Sequence, residues 1–133
     1  NLYCLHNLLV FKHSTTKETN TMRKETDKIA RAFYRRQPAS AARTHTDGET
    51  VWLHGNRIAW RTEAGDVGFT LAGWGTVTTR ERINGILETF GYRFWGVSQR
   101  NHEQWLVHHA KKMMPLNDSD SFYISDLKGM ESL

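Results

Sequence analysis

Three short runs with a period of two constrain the fold of this chain more than any other feature: "TVWLH" at 50–54, "RIAWR" at 57–61 and "VGFTL" at 67–71. Successive side chains of a strand point to opposite faces, so each run reads as a strand with one face turned to a core. Val51 and Leu53 share a face of the first, Ile58 and Trp60 of the second, and Val67, Phe69 and Leu71 of the third. Gly55-Asn56 supplies residues able to adopt positive φ in a tight hairpin, and "TEAGD" supplies a longer glycine-containing turn. The three strands are therefore expected to form an antiparallel meander.

Helical periodicity flanks the meander. In "DKIARAFYRR", Ile29, Ala30 and Phe33 fall on one face, Thr26 or Asp27 is placed to cap the start, and Pro38 follows the end. Downstream, Ile83, Ile86, Leu87 and Phe90 recur with helical spacing. Thr78 and Glu81 have the spacing of a capping box, and Gly91 is placed to stop the helix. Beyond it, "RFWGVSQ" and "QWLVH" read as a second hairpin. The expected class is α+β: an antiparallel β-meander with an N-terminal helix, a second helix after the third strand and a C-terminal β-hairpin. Residues 22–109 are expected to hold this one domain. Residues 110–133, rich in Ser and Asp around "NDSDSFYISD", are expected to form a mobile acidic tail with a short strand at 122–124.

The chain has 133 residues, the size of one ordinary domain. Its single cysteine, Cys4, rules out an internal disulfide and a multi-cysteine zinc site. No stretch is apolar for the roughly 18 residues of a membrane span, and no membrane partner is expected. Residues 1–21 lack the basic start and small-residue cleavage site of a signal peptide. Lys17-Glu18 can be encoded as a ribosome-binding sequence at the usual distance before Met22, so 1–21 is expected to be translated leader or an extension without fixed structure.

Charge is unevenly distributed. Between Met22 and Arg100 there are thirteen basic residues, eleven of them Arg, against eight acidic ones. Arginine's planar fork suits phosphate, and the formal net charge of +4 favours an acidic partner. The stretch "TLAGWGTVTTRERINGIL" opens the second helix with Thr76, Thr79, Arg80 and Arg82, while Gly73 and Gly75 let backbone approach a ligand. A helix N-terminus carries unpaired N–H groups and partial positive charge. These four residues, with Arg57 and Arg61 on the strands, form the expected nucleic-acid-binding set. Neither a P-loop nor a G-x-G-x-x-G pattern occurs.

Two other readings carry residues of their own. Trp52, Trp60 and Trp74 would form an interface with a host protein if a sheet face were left exposed, since aromatic residues dominate such contacts. His54 in "LHGN", with His45, Asp66 or Glu81 as partner, is the best candidate acid–base residue of a small hydrolase or nuclease. The preferred reading is non-enzymatic, with no cofactor and no metal called for.

The segments "TVWLHGNRIAWR" and "TLAGWGTVTTRERINGIL" resemble a family of small accessory proteins of T7-like bacteriophages. The likeness spans about Lys28 to Val107 and implies a phage protein in the cytoplasm of an infected bacterial host, without transferring an activity. In layout alone, a helix, three antiparallel strands and a helix with a basic start is similar to the double-stranded-RNA-binding domain. The "TTRERIN" start and the added C-terminal hairpin depart from that domain.

Overall fold

A computed structural model of the chain describes residues 17–117 and 119–131. Among them, three helices and nine strands form an α+β fold. Helix α1 (Lys17–Tyr34) leads into a meander of β1 (Ala39–Ala41), β2 (Thr44–Thr46), β3 (Thr50–Leu53), β4 (Asn56–Arg61) and β5 (Val67–Thr70). Helix α2 (Val77–Thr89) follows, then β6 (Trp95–Arg100), β7 (Glu103–His108), β8 (Lys111–Pro115), β9 (Ser121–Tyr123) and α3 (Ile124–Glu131). All pairings are antiparallel, giving a six-stranded sheet in the order β1-β2-β3-β4-β5-β9 and a three-stranded sheet β6-β7-β8.

The three period-two runs lie in β3, β4 and β5 as expected, but the sheet is twice as wide. Its additions escaped periodicity because β1, β2 and β9 have only three residues each. The first hairpin turns at Ala42 and Arg43, with φ of 45° and 61°, positions that a sequence reader assigns to Gly or Asn. The β3–β4 turn sits on His54 and Gly55 (φ 52° and 81°), one residue earlier than the expected Gly55-Asn56, and Asn56 begins β4.

Helix α1 extends well upstream of the expected cap at Thr26 or Asp27, and residues 1–16 of the expected leader lie outside the described residues. Thr26 is interior because it faces α2, where its side chain approaches Gly85 so closely that an added Cβ there would collide with it. The end of α1 precedes Pro38, with Arg36 in the left-handed conformation (φ 58°) and Gln37 N–H bonded to Ala32 O at 2.8 Å. Helix α2 stops at Gly91 as expected: φ is 93°, and Tyr92 N–H reaches back to Leu87 O at 2.8 Å.

The expected acidic tail instead completes the fold. Leu116, Phe122, Ile124 and Leu127 are buried, and Phe122 stacks on Phe69 with ring centres 5.1 Å apart. Four apolar residues scattered among Ser and Asp look like a tail by composition, yet each fills the core, where burying such a side chain is worth roughly 1.5–3 kcal/mol. That core lies between one face of the six-stranded sheet and helices α1 and α2. The three-stranded sheet closes the other flank of α2, where the Asn84 amide pairs with both backbone groups of Val97 (2.7 and 3.1 Å).

Candidate functional site

The entrance to α2 was the strongest candidate in the sequence, and its residues are committed inward. Thr76 has an extended backbone (φ −88°, ψ 163°) and its hydroxyl accepts from Thr79 N–H at 3.2 Å, so Thr76 is the N-cap. Thr78 is already helical and, among the described residues, forms no capping box with Glu81. Thr79 is buried, its hydroxyl 2.9 Å from that of Thr76.

Arg82, expected to meet phosphate, is only 2% exposed. Its Nε donates to Thr44 Oγ1 at 3.0 Å, and Nη1 donates to Thr26 Oγ1 at 2.6 Å and Met22 O at 3.2 Å. One guanidinium thus ties α2 to both α1 and β2. Burial pushes its pKa below the ordinary arginine value, and Glu25 and Glu81 oppose the shift. Arg80 turns the other way, donating from Nη1 to Gly75 O (2.7 Å), Gln104 Oε1 (3.0 Å) and Gln99 Oε1 (3.2 Å). Two residues separated by about 200° on a helix cannot share a lateral ligand, and here they fasten opposite flanks.

Arg61 is also structural. It donates to the final carbonyls of α1, Phe33 O at 2.6 Å and Tyr34 O at 3.2 Å, and to Gly48 O at 3.2 Å. Burial lowers its pKa, and the neighbouring Arg36 adds to the effect. Cations are favoured at a helix C-terminus, where unpaired carbonyls collect.

Between the α2 entrance and the β3–β4 hairpin lies a cleft of about 480 Å³, with Leu53, Ile58 and Leu71 on its floor and His54, Thr78 and Trp74 among its lining residues. Trp74 is 60% exposed. His54 does not meet the acid–base expectation. It sits on an exposed turn, and no carboxylate bonds to its ring among the described residues. Asp66 is occupied elsewhere, accepting from Ser125 Oγ (2.5 Å), Val67 N–H (2.9 Å) and Ser125 N–H (3.2 Å). No group of three or more His, Cys, Asp or Glu side chains able to hold a metal occurs among the described residues.

The other face of the six-stranded sheet is different. Cross-strand partners share a face, so the pairs Val51–Ala59 and Ala59–Phe69 mark the core side. His45–Trp52, Trp52–Arg57, Trp60–Gly68 and Gly68–Tyr123 mark the side opposite. On that side His45 stacks on Trp52 (centres 4.8 Å apart, planes 20° apart), and the Arg57 guanidinium lies 4.0 Å from the centre of the Trp60 ring. Tyr123 meets Trp60 edge-on at 5.9 Å. Gly68 lies beneath both rings, where an added Cβ would come within 2.6 Å of Trp60 and 2.7 Å of Tyr123. Sequence reasoning found Trp52, Arg57 and Trp60 but assigned them to separate hypotheses. It valued His45 only as a partner of His54 and placed Tyr123 in a tail. Alternation within "THT" at 44–46, where exposed His45 stands between buried Thr44 and Thr46, carried part of the missing signal.

An α+β fold with one covered and one open sheet face is thus the setting for comparison with known proteins. The family model described as Kyanoviridae Gp96 protein matches residues 22–128, and the chain belongs to that family. This is a phage protein family of T4-like cyanophages, which corrects the T7-like resemblance drawn from the sequence. No curated protein and no solved structure matches the chain. No helix among the described residues is long and apolar enough to cross a membrane.

Proposed function

We propose that this phage accessory protein is a non-enzymatic nucleic-acid-binding protein, acting in the cytoplasm of the infected host through the open face of its six-stranded sheet. The observation that carries the reading is the outward cluster of Trp52, Arg57 and Trp60, bordered by His45 and Tyr123. Rings stack with bases, and a guanidinium serves both stacking and phosphate. The chain's excess of positive charge adds attraction to a polyanion. The α2 entrance contributes little to this reading, since Arg82 is interior and Arg80 is held by neutral acceptors.

The test is fluorescence anisotropy with labelled DNA and RNA, single- and double-stranded, over a salt series. Salt-dependent binding to at least one of them is expected, and Trp60→Ala should weaken it by about 1–3 kcal/mol, the scale of one lost base–aromatic stack. Absence of salt-dependent binding to every nucleic acid would end the reading. A host-protein partner would then lead, favoured by Trp74 and Val77, which are 60% and 63% exposed beside the apolar cleft.

A further inference from the structure

We infer that the nucleic acid held by the open face is a single strand, taken bases first against the rings, and not a duplex; this rests on the nucleic-acid reading above. The first ground is ring geometry. His45 and Trp52 are cross-strand neighbours whose rings lie nearly parallel, 4.8 Å apart. That spacing is close to the roughly 4.7–4.9 Å between adjacent strands, so the two rings face each other across the strands instead of lying flat on the sheet. A duplex keeps its base faces inside its own stack and has none to offer such rings. A single strand has unpaired bases that can enter beside them.

The second ground is charge. Outward strand positions carry Ser40, His45, Thr50, Trp52, Arg57, Trp60, Thr70, Ser121 and Tyr123, with one permanent cation and no carboxylate. Such a face suits a polyanion and offers no counter-charge to a basic peptide. Duplex binding without base readout depends on several phosphate contacts at once, and Arg57 alone supplies one. Two acids in the turns beside these strands are already engaged: Asp47 accepts from Glu49 and Thr50 N–H, and Asp66 accepts from Val67 N–H and Ser125.

The third ground is the position of Arg57. Its planar guanidinium, 4.0 Å from the centre of the Trp60 ring, occupies the place that a stacked base would take. An entering base displaces it, and the freed cation then lies beside that nucleotide's phosphate. Arg57 is thus a placeholder for the base in the free protein and a phosphate contact in the complex.

The experiment uses the full chain with a labelled single strand of roughly ten nucleotides and the duplex of the same sequence. Anisotropy is followed across a salt series together with tryptophan fluorescence. The single strand is expected to bind about tenfold tighter or more. Arg57→Ala should flatten the log K against log salt slope by about 0.7, the single-strand value for one phosphate, while tryptophan quenching persists. Trp60→Ala should weaken single-strand binding about tenfold, and Trp60→Phe, which keeps a ring over Gly68, should restore most of it. Equal or tighter duplex binding overturns the single-strand inference and leaves the nucleic-acid reading standing, whereas no binding to either form removes both. Loss of quenching in a folded Arg57→Ala variant overturns the placeholder role.

Discussion

The α2 entrance and the open sheet face both present arginine next to threonine or tryptophan, yet they use the cation in opposite ways. At the entrance, Arg82 is enclosed by Thr26, Thr44 and the Met22 carbonyl, and Arg80 is held by two glutamines and a backbone oxygen. On the sheet, Arg57 is exposed and rests on an indole. A guanidinium surrounded by neutral acceptors is a tie between elements, whereas an exposed one stacked on a half-buried ring remains available to an incoming group. Arginine-rich sequence therefore marks neither role until the acceptors around each side chain are known.

The sharpest way to break this comparison is Arg82→Ala. If Arg82 is architectural, removing it leaves Thr26 and Thr44 without their shared donor and opens space between α1, α2 and β2. A loss of about 3 kcal/mol or more is expected in urea denaturation, since hydrogen bonds to a charged group are worth roughly 1.5–3 kcal/mol each. Nucleic-acid affinity per folded molecule should stay the same. A stable variant with impaired binding would move Arg82 back to the ligand side.

Legibility from sequence divides along the same line. The three longest features of the first sheet and of α2 were readable because each repeats a period over several residues, and Gly91 was readable because a left-handed helix stop favours glycine. The short strands were not. Ala42-Arg43 and His109-Ala110 turn their hairpins with positive φ at residues that give no turn signal. The last strand and helix were hidden because Phe122, Ile124 and Leu127 are separated by polar residues, though all are buried. At the candidate site, Trp52, Arg57 and Trp60 were on view in the sequence, but their shared face depends on register. The irregular pairing at Val51/Trp52 puts Ile58 and Ala59 both inside and Arg57 and Trp60 both outside, a relation that strict alternation does not give.

A smaller effect sharpens the entrance itself. Thr76→Ala removes the acceptor for Thr79 N–H and the hydroxyl partner of Thr79, so a cost of about 1 kcal/mol is expected. Thr78→Ala should cost under about 0.5 kcal/mol, because Thr78 caps nothing. Thermal or chemical unfolding of the pair decides between the two threonines, and a reversed order would restore the capping box read from the sequence.

The smallest expected effect probes the boundary of the open face. Burial raises the pKa of Asp66, but hydrogen bonds from the Ser125 hydroxyl, Val67 N–H and Ser125 N–H, with the charge of Lys128, outweigh it and leave the carboxyl below its ordinary value. A carboxyl whose folded pKa is depressed contributes stability above its unfolded value of roughly 3.9 and loses it as pH falls through the folded value. Asp66→Asn should therefore be less stable than the parent chain near neutral pH, by under about 1 kcal/mol given its partial exposure, and the gap should close in acid. Urea unfolding at neutral and acidic pH measures both arms. The same variant bears on the comparison, because Asp66 immediately precedes β5, two residues before Gly68. If its charge is held by Val67 and Ser125, replacing it should change single-strand affinity by less than about twofold. A marked gain in affinity with a steeper salt slope would mean that the carboxylate reaches the ligand, and that the open face is not free of opposing charge.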